Sequence, residues 1–142
     1  RVVTGALGRF EVPVQTEEVG VAVIAPGRPA LFARSRVSKA AERIRFELGL
    51  ERGGLDLDLS RLRLSPEKRL SLNLRANGVE VSLYRVENLL AFFSADRPLI
   101  ELPSLAPGAY EVCWATNASA PATCEPAVVQ AGNRAVVDLG PP

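Results

Sequence analysis

Hydrophobic and polar residues alternate with a period of two along much of the chain, most regularly after residue 54. Leucine alternates with polar residues over 55–60 and again over 70–74. This alternation is typical of strands that bury one face and expose the other to solvent. Asn77 and Gly78 follow, and this dipeptide strongly predicts a two-residue hairpin turn. The pattern therefore predicts an all-β fold with antiparallel neighbouring strands.

Shorter β-prone runs complete the predicted set of strands. Strands are predicted at 19–23, 31–37, 89–93, 99–102, 110–114, 127–130 and 135–139, with a hairpin at 1–14. Residues 89–93 are apolar on both faces and predict an interior strand. Residues 102–115 combine a Pro and Gly corner with an alternating run, and they predict a turn leading into a core strand.

Residues 38–48 fit two different structures. Ile44, Phe46 and Leu48 alternate with charged residues, which favours a strand. Ser38, followed by Ala, Glu and Arg residues, could instead cap a helix. We prefer the strand and keep the helix as the alternative.

Gly53 and Gly54 mark the best candidate domain boundary, because leucine-rich alternation starts directly after them. We therefore predict a first, incomplete β-sandwich unit at 1–53 and a second unit at 54–142.

An internal repeat agrees with this division. Residues 10–13 resemble 100–103, and residues 42–49 resemble 133–140, so both pairs are separated by about 90 positions. The common order and spacing favour tandem units.

Cys113 and Cys124 flank a segment of small and turn-forming residues, 11 positions apart. This arrangement is typical of two neighbouring strands joined by a disulfide across their connecting loop. Two free core thiols remain an alternative, whereas a metal-binding pair is disfavoured because the chain has no histidine to complete a site. A disulfide would indicate an oxidising compartment.

Charge and hydrophobicity exclude several classes of protein. Apolar residues make up 47% of the chain, and 17 basic residues balance 16 acidic ones. The first value excludes a disordered chain, and the second predicts no general attraction to nucleic acid or to a membrane surface. No run of 18 apolar residues and no basic start followed by an apolar run occurs, so we expect no membrane span and no signal peptide.

The absence of histidine excludes a histidine-dependent triad and a histidine-ligated metal. Asp56 and Asp58 share one strand face, but calcium needs six to eight oxygen ligands from a dedicated loop. A solvated face opposed by Arg61 and Arg63 explains them better. We predict no catalytic residue, no cofactor and no metal, and hence a protein that is not an enzyme.

Tyr110, Trp114 and Asn117 are the candidate ligand-binding residues. Tyr110 and Trp114 are four positions apart on one strand face, where exposed rings would stack on a sugar. The alternative is that Trp114 belongs to the core beside the disulfide. Because Cys113 lies on the opposite face of the strand, either it or Trp114 must point away from the main core. Asn117 begins an Asn-Ala-Ser sequence that matches an N-glycosylation acceptor.

Two motifs resemble those of the carboxypeptidase regulatory-like and Cna-B-type domains. Residues 102–112 resemble the "L-x-P-G-x-Y" corner of that family. Thr4, Gly8 and Phe10, together with residues 23–27, look like its "T-x-x-G-x-F" and "V-x-A-P-G" motifs. The resemblance implies a transthyretin-like (prealbumin-like), Ig-like Greek-key β-sandwich without catalytic residues. It also implies an accessory, spacer or binding module of exported proteins, and a truncated first unit.

These observations together predict a structural or protein-interaction module of an extracellular, cell-surface or periplasmic protein. Its partner would be another protein or a second copy, joined through open sheet edges. The alternatives are a carbohydrate-binding module that uses Tyr110 and Trp114, and a regulatory domain of a peptidase.

Overall fold

The computed structural model is built of β-strands joined by turns and irregular segments. It describes residues 17–37, 44–62, 70–83, 90–93, 96–117 and 119–140, and these contain ten strands and no helix. The strands are β1 (Glu18–Val23), β2 (Leu31–Arg36), β3 (Gly53–Asp58), β4 (Ser71–Ala76), β5 (Val79–Ser82), β6 (Phe92–Phe93), β7 (Leu99–Leu105), β8 (Gly108–Ala115), β9 (Thr123–Val129) and β10 (Arg134–Asp138). The predicted all-β fold is confirmed. Within the same ranges, no helix has the length and apolar character needed to cross a membrane.

The strands form two four-stranded sheets and one hairpin. Sheet I has the order β10-β3-β7-β6, sheet II has the order β5-β4-β8-β9, and β1 pairs with β2. All these neighbours are antiparallel except β10 and β3, which run parallel. The predicted antiparallel pairing is thus confirmed for the other pairs and wrong for this one.

The parallel pair arises because β3 and β10 start side by side. The Gly54 N–H donates to the carbonyl oxygen of Asn133 at 2.8 Å, which brings both strand starts to the same end of sheet I. A Cβ atom on Gly53 would lie 2.3 Å from the carbonyl oxygen of Gln130, so only glycine fits at this approach. Gly53 and Gly54 are therefore the buried start of β3. The division into units 1–53 and 54–142 stays a prediction.

Sheets I and II both contribute to one hydrophobic core, as the alternation predicts. Its most completely buried side chains are Phe32, Leu55, Leu57, Leu72, Leu74, Leu83, Ile100, Leu102, Leu105, Val112, Val129 and Leu139. Among the described residues no polar or charged side chain is buried. The core is held together by apolar burial, which contributes about 25 cal/mol for each Å² removed from water.

The β1–β2 hairpin connects the two sheets along one side of the core. Its turn contains Gly27, which has a φ of 71°, as the Pro and Gly pair predicts. Ala30 then bridges Leu105 of sheet I. Two residues later, the carbonyl oxygen of Phe32 accepts a hydrogen bond of 2.8 Å from the Asn77 side chain of sheet II. The hairpin thus contributes to the same core as residues 55–139.

The predicted turn at Asn77 and Gly78 joins β4 to β5. Both residues have positive φ angles, 52° and 73°, as a type I′ turn requires. The turn between β9 and β10 likewise contains Gly132 with a φ of 75°. Both predicted turns are confirmed.

Three local predictions are wrong. Of the segment 38–48, for which a strand is predicted, residues 44–48 are irregular, because alternation makes a strand only where a neighbouring strand pairs with it, and residues 38–43 lie outside the described residues. An interior strand is predicted at 89–93, but of its described residues 90–93 only Phe92 and Phe93 are in a strand, and they are largely exposed at the edge of sheet I. The corner begins later than predicted, since β7 continues through Pro103 to Leu105. The predicted hairpin at 1–14 lies outside the described residues.

Candidate functional site

Strand β8 carries the candidate residues on two opposite faces. Tyr110, Val112 and Trp114 point into the core between the sheets, whereas Glu111 and Cys113 lie on the outer face of sheet II. The sequence predicts that Trp114 and Cys113 are on opposite faces. The sequence does not say which of the two faces packs against sheet I. In the structure it is the face that carries Tyr110 and Trp114.

Tyr110 holds the corner between sheets I and II. Its hydroxyl donates a hydrogen bond of 2.7 Å to the carbonyl oxygen of Ala106, four residues upstream. Its ring meets Phe32 edge-on with 5.8 Å between the ring centroids. Burial raises the pKa of Tyr110 to about 12, because the tyrosinate form would lose its hydration. The side chain is thus a structural element of the corner.

Trp114 connects sheet II to the chain that follows β10. Its side chain is 3% exposed, and its Nε1–H donates to the carbonyl oxygen of Gly140 at 3.2 Å. Tyr110 is buried as well, at 6% exposure, so neither ring offers a face on which a sugar could stack. The carbohydrate hypothesis required exposed rings at these two positions, and we do not carry it forward.

Asn117 is exposed in the loop between β8 and β9, apart from the two buried rings. Its Oδ1 accepts hydrogen bonds from the Ser119 N–H at 2.9 Å, the Ser119 hydroxyl at 3.0 Å and the Ala120 N–H at 2.6 Å. Asn117 therefore closes the loop turn, as Asn side chains commonly do. Its role as a glycosylation acceptor stays a prediction.

The predicted disulfide between Cys113 and Cys124 is present. The two residues are directly opposite each other on β8 and β9, with 4.1 Å between their Cα atoms. The bond joins a central strand of sheet II to its edge strand across the short connecting loop. Cys113 is 1% exposed, so at least one sulfur is shielded from solvent reagents.

Arg75 is the main neighbour of this disulfide on the outer face. Its guanidinium pairs with Glu80 at 3.3 Å and with Glu111 at 3.5 Å, and its Nη1 lies 3.9 Å from Cys124 Sγ. The hydrogen bond to Glu80, with a smaller effect of Glu111, raises the pKa of Arg75. Sequence reasoning missed this cluster, although a two-residue turn at 77–78 places Arg75 opposite Glu80.

The side chains of Glu111, Cys113 and Cys124 bring one carboxylate and two sulfur atoms within 4.8 Å of one another. A cysteine binds a metal as the thiolate, however, and both sulfurs here are joined in a disulfide. The oxidised cluster thus lacks the ligands that zinc or another thiophilic metal requires.

The outer face of sheet I carries the carboxylates that were considered for calcium. Asp56 accepts two hydrogen bonds from the Arg134 guanidinium. The same guanidinium also pairs with Glu101, at 3.7 Å. Asp58 instead accepts a hydrogen bond of 2.8 Å from the Ser60 N–H, which lowers its pKa. The two carboxylates are engaged by different partners.

The predicted opposition of these carboxylates by Arg61 is wrong in detail. Arg61 pairs instead with Asp138 of β10, at 3.2 Å, because β10 lies beside β3 on the side opposite β7. Arg63 lies outside the described residues. The outer face of sheet I is therefore a solvated surface with short-range ion pairs.

Comparisons of the chain with protein-family models, with curated proteins and with solved structures found no match.

Proposed function

We propose that this chain is a non-enzymatic structural or protein-interaction module of an exported protein, at the cell surface or in the periplasm. The observation that carries the proposal is the disulfide between Cys113 and Cys124, formed across two strands that are already paired. Disulfides persist in oxidising compartments and are rare in the cytosol. A bond between already paired strands stabilises the fold.

The surroundings of the disulfide favour this structural role over thiol chemistry. Exchange requires a thiolate to reach one of the sulfur atoms, and reactive cysteines are exposed. Cys113 is shielded, and Arg75 and Glu111 lie over the bond on the outer face. Closing a loop of this length contributes about 3 kcal/mol to the stability of the fold.

The proposal includes a Greek-key β-sandwich of the transthyretin-like type, as the resemblance to carboxypeptidase regulatory-like and Cna-B-type domains implies. Two features support it. Sheets I and II bury their inner faces in a common core. The chain also passes from sheet I to sheet II at a corner where Tyr110 bonds back to the Ala106 carbonyl oxygen, which resembles the tyrosine corner of Greek-key sandwiches.

The interaction role follows from the edges of the two sheets. Sheets that do not close into a barrel leave edge strands whose outer backbone groups are able to pair with another chain. Such pairing gives affinity through main-chain hydrogen bonds, and side chains next to the edge select the partner. In this module, the covalent and apolar contacts would maintain the fold while an edge strand binds.

The test is the location and redox state of the chain in the cells that produce it. Cells are fractionated, free thiols are alkylated under denaturing conditions before reduction, and the mass of the recovered chain is measured. We expect the chain in the exported fraction with neither cysteine alkylated. The Cys113→Ala, Cys124→Ala variant is the control, since its mass is unchanged by alkylation whatever its location. Recovery from the cytosol with two alkylated cysteines would falsify the proposal.

A further inference from the structure

Strand β10 is an open edge of sheet I with an unusual sequence. Among the described residues it pairs with β3 on one side only, and sheet I ends at this strand. In a parallel pair, only every second residue of an edge strand directs its N–H and C=O groups towards the neighbouring strand. The Asn133 carbonyl oxygen and the Leu139 N–H bond to β3, so the odd-numbered residues of this segment are the ones that face β3. The N–H and C=O groups of Arg134, Val136 and Asp138 consequently face away from the sheet.

The side chains of β10 leave this edge accessible. Val136 is 66% exposed, so an apolar side chain lies in solvent beside this edge. The strand contains no proline, glycine or lysine, and no bulge interrupts its pairing. Proline, lysine and bulges are among the devices by which natural proteins protect edge strands from pairing, whereas the charges of β10 are confined to Arg134 and Asp138 at its two ends.

The other edges of the two sheets are less suited to pairing. In sheet II, β9 contains Pro126, which has no N–H to donate, and β5 has only four residues. At the far edge of sheet I, β6 has only two residues. Among the edges of sheets I and II, β10 therefore offers the best uninterrupted row of outer backbone groups.

We infer that β10 binds β10 of a second copy of this chain, in an antiparallel pair with its two-fold axis at Val136. This inference rests on the proposed role as a protein-interaction module and names its partner. The sequence Arg-Ala-Val-Val-Asp is self-complementary in this arrangement, since Arg134 faces Asp138 of the other copy at both ends. Val136 meets the same valine at the centre.

The backbone and the charges both fit this register. The residues that face each other across the axis are those whose N–H and C=O groups point away from β3, so each facing pair exchanges two hydrogen bonds. The Asp138 carbonyl oxygen already accepts a hydrogen bond of 3.1 Å from the Gly140 N–H, and its second lone pair serves the contact between copies. Within one copy, Arg134 uses Nε and Nη2 to bind Asp56, and Asp138 uses Oδ2 to bind Arg61. Within the described part of the chain, Arg134 Nη1 and Asp138 Oδ1 are left for the contact between copies.

The resulting dimer would continue sheet I across the two-fold axis into a sheet of eight strands. A single strand edge buries less area than the roughly 1,600 Å² of a standard interface, so the association belongs to the weak, transient class. Dissociation constants of that class require protein concentrations from about 10 μM to about 1 mM.

Sedimentation velocity over this concentration range tests the pairing. We expect the wild-type chain to move from monomer towards dimer, and the Val136→Lys variant to stay monomeric because two ammonium groups meet at the axis. The matched control is Val128→Lys, at a valine that is 61% exposed on edge strand β9, and it should associate like the wild type. Far-UV circular dichroism checks that each variant is folded. In the Asp138→Arg variant the new arginine would face Arg134 of the other copy at both ends of the pair. We expect this variant to lose association as well, which tests the register independently of Val136.

A covalent readout tests the register itself. Hydrogen-bonded residues across an antiparallel pair have Cα atoms about 5.5 Å apart, which suits a disulfide. Under mild oxidation, we expect the Val136→Cys variant to form covalent dimers roughly tenfold faster than Val128→Cys, because pairing raises the local thiol concentration.

Two results would overturn the inference. One is a wild-type chain that stays monomeric throughout, and the other is equal loss of association in Val136→Lys and Val128→Lys. A monomeric chain that is exported and disulfide-bonded refutes only the pairing of β10. A cytosolic chain with free thiols refutes the proposed function, whatever its oligomeric state.

Discussion

Strands β9 and β10 are consecutive in the chain and form edges of different sheets, yet they are held in different ways. Strand β9 pairs antiparallel with β8 and is joined to it by the disulfide. Strand β10 pairs parallel with β3 and is held by hydrogen bonds, by Val137 in the core and by the ion pair of Arg134 with Asp56.

If β10 binds a partner as proposed, the two edges of this β-protein carry separate tasks. A covalent bond and a proline make β9 a poor strand for pairing and a stable one for the fold. The absence of both leaves β10 less fixed and open to a partner. Stability and recognition would then depend on different residues, which mutation can separate.

The core beneath both edges sets the largest expected effect. Trp114→Ala removes a buried ring and its hydrogen bond to Gly140, and we expect the free energy of unfolding to fall by about 3 to 5 kcal/mol. Urea unfolding followed by circular dichroism measures the loss. Because Trp114 lies opposite Thr123 of β9 and its indole bonds to Gly140 directly after β10, amide hydrogen exchange should increase in β9 and β10 alike.

Val128→Ala is the control for this variant, since it shortens an exposed side chain on β9 and should change stability by less than about 0.5 kcal/mol. A Trp114→Ala variant in which exchange increases in β9 alone would show that the indole does not connect the two sheets.

Removal of the disulfide should affect the two edges unequally. In the Cys113→Ala, Cys124→Ala variant we expect a loss of about 3 kcal/mol, because the unfolded chain regains the freedom that the closed loop had removed. Hydrogen exchange should increase by local opening in β9 and much less in β10. Wild-type protein kept in a reducing agent should behave in the same way. Equal increases in both strands would contradict the division of tasks.

The inner and outer positions within strands were accessible to sequence reasoning, because alternation follows directly from strand geometry. Leu55 and Leu57 are buried as predicted, and the Asn77 and Gly78 turn sets the register of β4 with β5. The disulfide could be predicted for the same reason, since its cysteines flank a short loop between neighbouring strands.

What sequence reasoning missed depends on contacts between distant segments. The parallel pairing of β10 with β3 joins residues about 80 positions apart, and no local pattern encodes it. Alternation places Trp114 and Cys113 on opposite faces of their strand, but it does not predict which of these faces packs against sheet I. Phe46 and Leu48 alternate with charged residues, yet their segment is irregular.

Alkaline pH should weaken the corner that connects the two sheets. The pKa of Tyr110 is about 12 in the folded chain and about 10 in an unfolded one, so its contribution is complete below pH 10. Above pH 10 the unfolded state releases the proton first, and the folded state loses about 1 to 2 kcal/mol of stability up to pH 12. Urea unfolding at a series of pH values measures the decline.

Tyr110→Phe is the matched control, because it keeps the ring beside Phe32 and removes the group that titrates. Its stability should be lower by about 1 kcal/mol at neutral pH, where the bond to Ala106 is lost. Its decline above pH 10 should be correspondingly smaller than that of the wild type. An unchanged decline would assign the alkaline effect to other groups.

The smallest expected effect concerns the ion pair that holds β10, and it decides whether this edge is as loosely fixed as the comparison requires. Arg134→Gln should lower the free energy of unfolding by about 0.5 to 1 kcal/mol, since Arg134 is half exposed and such pairs are screened by salt. The measurement belongs at low protein concentration, where the chain is monomeric, with and without added salt. Arg61→Gln, which removes the more exposed pair with Asp138, is the control and should cost less. A loss of several kcal/mol in Arg134→Gln would mean that an ion pair fixes β10 as firmly as the disulfide fixes β9, and the two edges would no longer differ in kind.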